Sequence, residues 1–214
     1  MKSLWASVGI ALTMVSSVGA RPLPEQVQTL GPLLGTMDVQ SLPSISNGKL
    51  QGCQLVFDAI AQDYTYNDGA FLKISGSASI MSSGGKMGAT VKVVAEVLDP
   101  TSTDAKLIPS APSRAYLIGK NYTNNLGSLV NAASTSPGAW FAIYNFQPSF
   151  TILVEAMSST TLTIGFNQNG GNTDIQLPID LTVASTDDAG KRTHSTAALD
   201  NYSKCIGILG DQFK

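Results

Sequence analysis

In the stretch DIQLPIDLTV, Ile175, Leu177, Ile179, Leu181 and Val183 occupy every second position, with polar residues or proline between them. A period of two is that of a half-buried strand, because successive side chains on extended backbone point to opposite faces. The same period runs through FLKISGSASI, with Leu72, Ile74, Gly76, Ala78 and Ile80 aligned, and through ATVKVVAEVL, with Val91, Val93, Ala95 and Val97 aligned. CQLVFDA, RAYLIG, AWFAIYNF, FTILVEA and TLTIGFN complete a set of about eight strand-like runs, of about six to ten residues, separated by turn residues. No intervening amphipathic segment is long enough for βαβ units. The chain therefore reads as mainly β, an antiparallel β-sandwich of about eight strands. A membrane barrel would alternate lipid-facing and lumen-facing residues, whereas AWFAIYNF and VKVVAEV are apolar on both faces, as in a strand between packed layers. Pro178 has no N–H for a ladder and predicts a sheet edge or a bulge.

The last segment follows another period. Leu199, Tyr202, Cys205 or Ile206, and Leu209 recur at spacings of three and four, which predicts a short C-terminal helix. Thr193 or Ser195 is its expected N-cap and Gly210 its expected C′ residue. Gly207 inside it costs ~1 kcal/mol relative to alanine.

At the other terminus, Lys2, the apolar run Leu4–Val15 and the small residues Val18, Gly19 and Ala20 form the three regions of a secretory signal peptide over residues 1–20. Residues 21–50 hold Pro22, Pro24, Pro32 and Pro43 and read as a proline-rich arm, partly ordered at best. Residues 51–214 read as a single β-sandwich domain. No segment of the mature chain is apolar enough to span a bilayer as a helix. Lys and Arg number 13 against 15 Asp and Glu, a net charge of −2 that becomes −3 when Lys2 is removed. With no basic run, this balance supplies no electrostatic reason to bind nucleic acid or an anionic membrane.

The chain has two cysteines, Cys53 and Cys205, and one histidine. That is too few ligands for a zinc site, and the spacing is unlike a C-x-x-C redox pair. In the oxidising compartment that a signal peptide implies, the expectation is a disulfide closing most of the domain and docking the helix beside the first strand.

Catalytic patterns are sparse. His194 precedes Ser195, and adjacent side chains point apart, so the histidine cannot serve that serine as a base. Ser83 and Lys86 have S-x-x-K spacing, yet two glycines between strand patterns predict a hairpin turn. Glu96 and Glu155 are a carboxylate pair to test for glycosidase separation. Asp58, Asp63 and Asp68 surround QDYTYNDG, with a spacing unlike an EF-hand. Trp140 and Tyr144 share one face of AWFAIYNF. Together with Tyr64 and Tyr66 they are the candidates for stacking on a sugar or anchoring a protein, if that face is open. Asn121 and Asn201 lie in N-x-[ST] sequons.

The segments AMSSTTLTIGFNQNGGNTDIQLPIDLTV and STAALDNYSKCIGIL resemble the ending of bacterial periplasmic proteins of the invasion-associated locus B type. There a strand of the form L-x-I-x-F leads through a glycine turn to I-x-L-P-I-x-L and a short apolar helix containing A-A-L. That family steps into the helix through L-K-G-F, where this chain has TVASTDDAGKRTH, and the N-terminal half carries no match. The resemblance implies a periplasmic β-sandwich with a terminal helix, and it transfers no catalytic residue.

These readings combine into an expectation. The chain is a secreted or periplasmic, disulfide-closed binding protein with a protein or cell-envelope partner, no assigned catalytic or metal residue and no cofactor. Its rivals are a carbohydrate-binding module using the exposed aromatics and a glycoside hydrolase using Glu96 and Glu155.

Overall fold

Turn chemistry lays out the long strands. In the computed structural model, which describes residues 22–101, 106–120, 123, 131–132 and 136–212, Asn47 and Gly48 have φ of 51° and 72°. They join β1 (Gly35–Ser46) to β2 (Lys49–Asp63). Gly84 and Gly85, at 58° and 76°, join β3 (Ala70–Ser83) to β4 (Lys86–Leu98). Positive φ at both central residues is the hairpin geometry whose twist matches that of the flanking strands. Ser83 pairs with Lys86 across the second turn, so that pair closes a hairpin, as the glycines predict.

The remaining strands are shorter: β5 (Leu107–Pro109), β6 (Ala115–Ile118), β7 (Asn131–Ala132), β8 (Ala139–Asn145), β9 (Thr161–Phe166), β10 (Ile175–Asp180), β11 (Val183–Thr186) and β12 (Arg192–His194). Among the described residues, seven strands form one antiparallel sheet in the order β1-β2-β3-β4-β8-β7, with β5 also on β4. A smaller sheet runs β10-β9-β6, and β11 pairs with β12. The helices are α1 (Pro24–Leu30), α2 (Phe146–Ser159) and α3 (Ala197–Asp211).

Register brings the alternating apolar residues into rows across the large sheet. Cys53, Ile80, Ala89 and Tyr144 form one row. Leu55, Ala78, Val91 and Ala142 form the next, followed by Phe57, Gly76, Val93 and Trp140. Against this face pack Leu117, Ile164, Phe166 and Ile179 of the small sheet, Ile152, Leu153 and Ala156 of α2, and Leu199, Tyr202 and Leu209 of α3. The fold is thus a sandwich whose second layer is part sheet and part helix. Gly76 is required by this packing, since a Cβ there would lie 2.7 Å from the Lys92 carbonyl oxygen and inside the Phe57 ring. Pro178 lies on β10, the edge strand of the small sheet, as its missing N–H requires.

The expected disulfide is present. Cys53 and Cys205 are joined across 152 residues with Cα atoms 5.8 Å apart, and α3 packs on β1 and β2.

Five expectations change. FTILVEA is helical, within α2, where Ser149, Ile152, Leu153 and Ala156 are buried at helical spacing. Thr151, Ile152 and Val154 favour strands, but packing of this stripe outweighs local propensity. The long strands run 12–15 residues, and β5, β7, β11 and β12 add short pieces beyond the expected set of about eight. DIQLPIDLTV bends after Asp180, whose carboxylate accepts from the N–H and hydroxyl of Thr182 at 2.9 and 2.7 Å and turns the chain into β11. The 21–50 arm is built into the fold: α1 and a 3-10 turn at Gly31–Leu33 lead into β1. Arg192 holds this segment by donating Nε–H to the Thr36 carbonyl at 2.8 Å and Nη2–H to the Leu34 carbonyl at 2.6 Å. The ends of α3 differ as well: its N-cap is Thr196, not Thr193, which lies in β12, or Ser195, which accepts from the N–H of Ala197 at 3.1 Å, and the helix runs through Gly210 to a cap at Gln212. Residues 1–20 and Asn121 lie outside the described residues.

A loop of 152 residues predicts that a Cys53→Ser/Cys205→Ser variant loses up to about 5 kcal/mol of unfolding free energy in denaturant titrations. Two glycine substitutions are expected to move stability in opposite directions. Gly76→Ala forces apart a packed core and destabilises by about 1–3 kcal/mol. Gly207→Ala, with open space around its Cβ, gains ~1 kcal/mol in α3.

Candidate functional site

The sequence candidates do not form one platform. Trp140 and Tyr144 point into the core, on the row side of β8. Tyr144 is 2% exposed and donates its hydroxyl to the Ala115 carbonyl, which bridges the two sheets. Burial pushes its pKa up to about 12. Trp140 is half-buried against the same cluster, and its Nε1 is buried without a hydrogen-bond partner. Tyr64 and Tyr66 lie instead on the β2–β3 turn. Tyr64 is 73% exposed with its ring over Gly69, whereas Tyr66 lies over Gly171 and donates to the Thr173 carbonyl.

That end of the sandwich is held by a buried polar knot. Asp63, 2% exposed, accepts from the N–H groups of Thr65 and Tyr66, both at 2.9 Å, and from the side-chain amides of Asn67 and Gln168 at 2.5 and 2.6 Å. Gln168 in turn accepts from the Ser110 hydroxyl at 2.6 Å. Its oxygens so engaged, Asp63 is a structural residue and not a calcium ligand in waiting. Asp58 faces the other side of the sheet, where its carboxylate accepts from Ser75. Nearby, Arg114 donates Nε–H to Asp174 at 2.7 Å and Tyr116 donates its hydroxyl to the same carboxylate at 2.6 Å. Burial raises the Asp174 pKa, but the hydrogen bonds from Arg114 and Tyr116 and the guanidinium charge outweigh it, so the net direction is down. Tyr116 is pushed up to about 12 by burial and by the hydrogen bond to Asp174.

The carboxylates proposed as a pair stand in different layers. Glu96 alternates with the buried Ala95 and Val97 of β4 and so faces away from the core. Glu155 belongs to α2 on the core side, where Oε2 accepts from the Lys120 N–H at 3.0 Å. The sheet lies between them. His194 is on β12, its Nδ1 2.9 Å from the Thr182 hydroxyl, and Ser195 lies at the start of α3. Among the described residues, no cluster of three His, Cys, Asp or Glu side chains is arranged to hold a metal ion.

Three concave surfaces remain, one of them a hollow of about 260 Å³ between β1, β11 and the start of α3, lined by Val39, Gln40, Ala184, Ser195 and Asn201. A cleft of about 550 Å³ lies between α2 and the β6–β9 edge, lined by Ile118, Val154, Glu155, Ser158 and Thr163, with its acid already engaged by the backbone of Lys120. The third is the outer face of the large sheet, which no element among the described residues covers. Here Gln54, Val56, Ser75, Ser77, Lys92 and Val94 surround a shallow hollow of about 230 Å³. Register extends the surface to Gln40, beside Val56, and to Phe141, beside Lys92. Val56, Ile60, Val94, Phe141 and Ile143 are all half-buried on this face, where a merely solvated sheet would carry mostly charged and hydroxyl side chains. Phe141 and Ile143 lie on the reverse of the Trp140 face of β8. The signal was present, since the β4 run VKVVAEV is apolar at positions of both parities.

The depressed pKa of Asp174 adds stability that is present above the unfolded carboxylate value and is lost as pH falls through the folded one. Asp174→Asn is therefore expected to be less stable than the parent at pH 7, the difference closing as pH falls below the ordinary carboxylate range in pH-resolved denaturation. No family model matches this chain, and neither a characterised protein nor a solved structure is significantly similar to it.

Proposed function

We propose that this chain is a secreted, non-catalytic binding protein of the cell envelope, which engages a protein partner across the open face of its large sheet. The observation that carries the reading is the half-buried apolar set Val56, Ile60, Val94, Phe141 and Ile143 on a face that no second layer covers among the described residues. Apolar residues spaced among Gln54, Ser75, Ser77 and Lys92 make a surface with adhesive and hydrogen-bonding groups side by side, the composition of a protein-binding patch. Secretion is supported by the signal-like residues 1–20 and by the Cys53–Cys205 bond, which persists in oxidising compartments. The invasion-associated locus B resemblance supports the same compartment and is itself part of the proposal. Stacking on a sugar through Trp140 and Tyr144 is not favoured, because both side chains pack in the core.

A photo-crosslinking side chain at Ser77, on the open face, and another at Ser158, in the α2 cleft of the opposite layer, test the reading in secreting cells. The expected result is one discrete envelope-protein adduct from position 77 that excess unlabelled protein competes away, with none from position 158. Equal labelling at both positions, or no competable adduct at 77, would overturn it. A mature chain beginning near Arg21 in the envelope fraction is the accompanying expectation.

A further inference from the structure

Charge divides unevenly between the two ends of the large sheet. The Ser46–Lys49 and Ser83–Lys86 turns lie at the same end, because Gly52 pairs with Met81 and Met81 with Gly88, which pairs in turn with Asn145. There β8 also passes into α2, with the Phe146 and Phe150 rings stacked 5.1 Å apart. The disulfide brings in α3: Cys205 is bonded to Cys53, and Sγ lies 3.7 Å from the Gly52 carbonyl. Four segments distant in sequence (41–53, 79–90, 143–150 and 201–210) thus meet at one pole.

Those segments contain Lys49, Lys86 and Lys204 and not one Asp or Glu, in a chain whose acids outnumber its bases 15 to 13. All three lysines are exposed, and among the described residues none has an ion-pair partner. Lys49 and Lys86 are two strands apart at neighbouring turns, roughly 10 Å from each other by strand spacing, within about a Debye length. The nearest acids along the chain are Asp200, one turn before Lys204 in α3 and accepting from the Thr196 hydroxyl, Asp211, at the end of α3, and Asp38 and Asp58, on the open face. The same pole carries the two most solvent-exposed aliphatic side chains among the described residues: Ile45 is 64% exposed and Ile208 60%. Asp68, Asp99 and Asp174 lie toward the opposite end, beyond the other ends of β3 and β4.

We propose that this pole docks on an anionic lipid surface, with Ile45 and Ile208 at the acyl boundary and the three ammonium groups on headgroup phosphates. Projecting aliphatic side chains ringed by unpaired lysines are the chemistry of an interfacial anchor. A second copy is a poor occupant, because a two-fold contact would set three unpaired lysines against three others. Docking by the pole leaves the open sheet face exposed, so this inference does not depend on what that face binds.

The test uses the mature chain with vesicles of phosphatidylglycerol in phosphatidylcholine and with pure phosphatidylcholine, read by co-sedimentation. Binding is expected to the anionic vesicles only and to weaken as salt rises. The K49Q/K86Q/K204Q variant should bind about 100-fold more weakly. K73Q/K106Q/K191Q, with the same change in net charge, should bind like the parent. Ile45→Ser/Ile208→Ser should lose about tenfold with an unchanged thermal melt, since both side chains are exposed. The proposal is overturned if anionic vesicles do not bind, if both lysine variants lose affinity alike, or if neither does. It is also overturned if the parent self-associates reversibly through Ile45 and Ile208, which would make a second copy the occupant.

Discussion

The shared apolar face of β2, β3, β4 and β8 organises the rest of the molecule. Its rows of directly paired residues, such as Leu55, Ala78, Val91 and Ala142, present one continuous surface, and every other large element is placed by packing against it. A slip of one residue in any of these strands would turn its apolar set to the opposite side. Gly76 keeps the third row level by leaving space for the Phe57 ring. The small sheet, α2 and α3 each cover part of this surface, and none is long enough to cover it alone. The second layer is composite for that reason.

One-sided burial has a functional consequence. With the core confined to one side, the outer face keeps whatever composition other demands impose, and here it combines valine, phenylalanine and isoleucine with serine, glutamine and lysine. The end of the sandwich near the β2–β3 turn is closed differently, by the Asp63–Gln168–Ser110 hydrogen bonds and the Arg114–Asp174–Tyr116 group. Such buried polar groups hold loops in place without an apolar core beneath them. The opposite end is tied by the disulfide, with exposed aliphatic and lysine side chains around it.

Much of this was legible in the residues. The two-residue period marked the long strands and Pro178 marked an edge. The paired glycines turned Ser83–Lys86 into a hairpin, and the two cysteines with no metal-ligand company implied a bond. The α2 segment was misleading because Thr151, Ile152 and Val154 carry strand propensity. Only the contacts of Ile152, Leu153 and Ala156 with both sheets show why the helix prevails. The arm before residue 50 was read as loosely ordered because its prolines hide β1. The carbonyl groups that Arg192 binds across some 150 residues cannot be read from the local sequence.

Local sequence determined this protein's long alternating strands, its C-terminal helix, its turns and its covalent closure, because those depend on side-chain period, on glycine and asparagine at positive φ, and on the oxidation of two cysteines. Tertiary structure alone decided which face of each strand is core, that Trp140 and Tyr144 point inward, and that Glu96 and Glu155 are kept apart by a sheet. It also decided that Lys49, Lys86 and Lys204 share one pole. Charges separated by 37 and 118 residues show no pattern in a linear reading, and only strand register and a disulfide bring them within reach of a common surface.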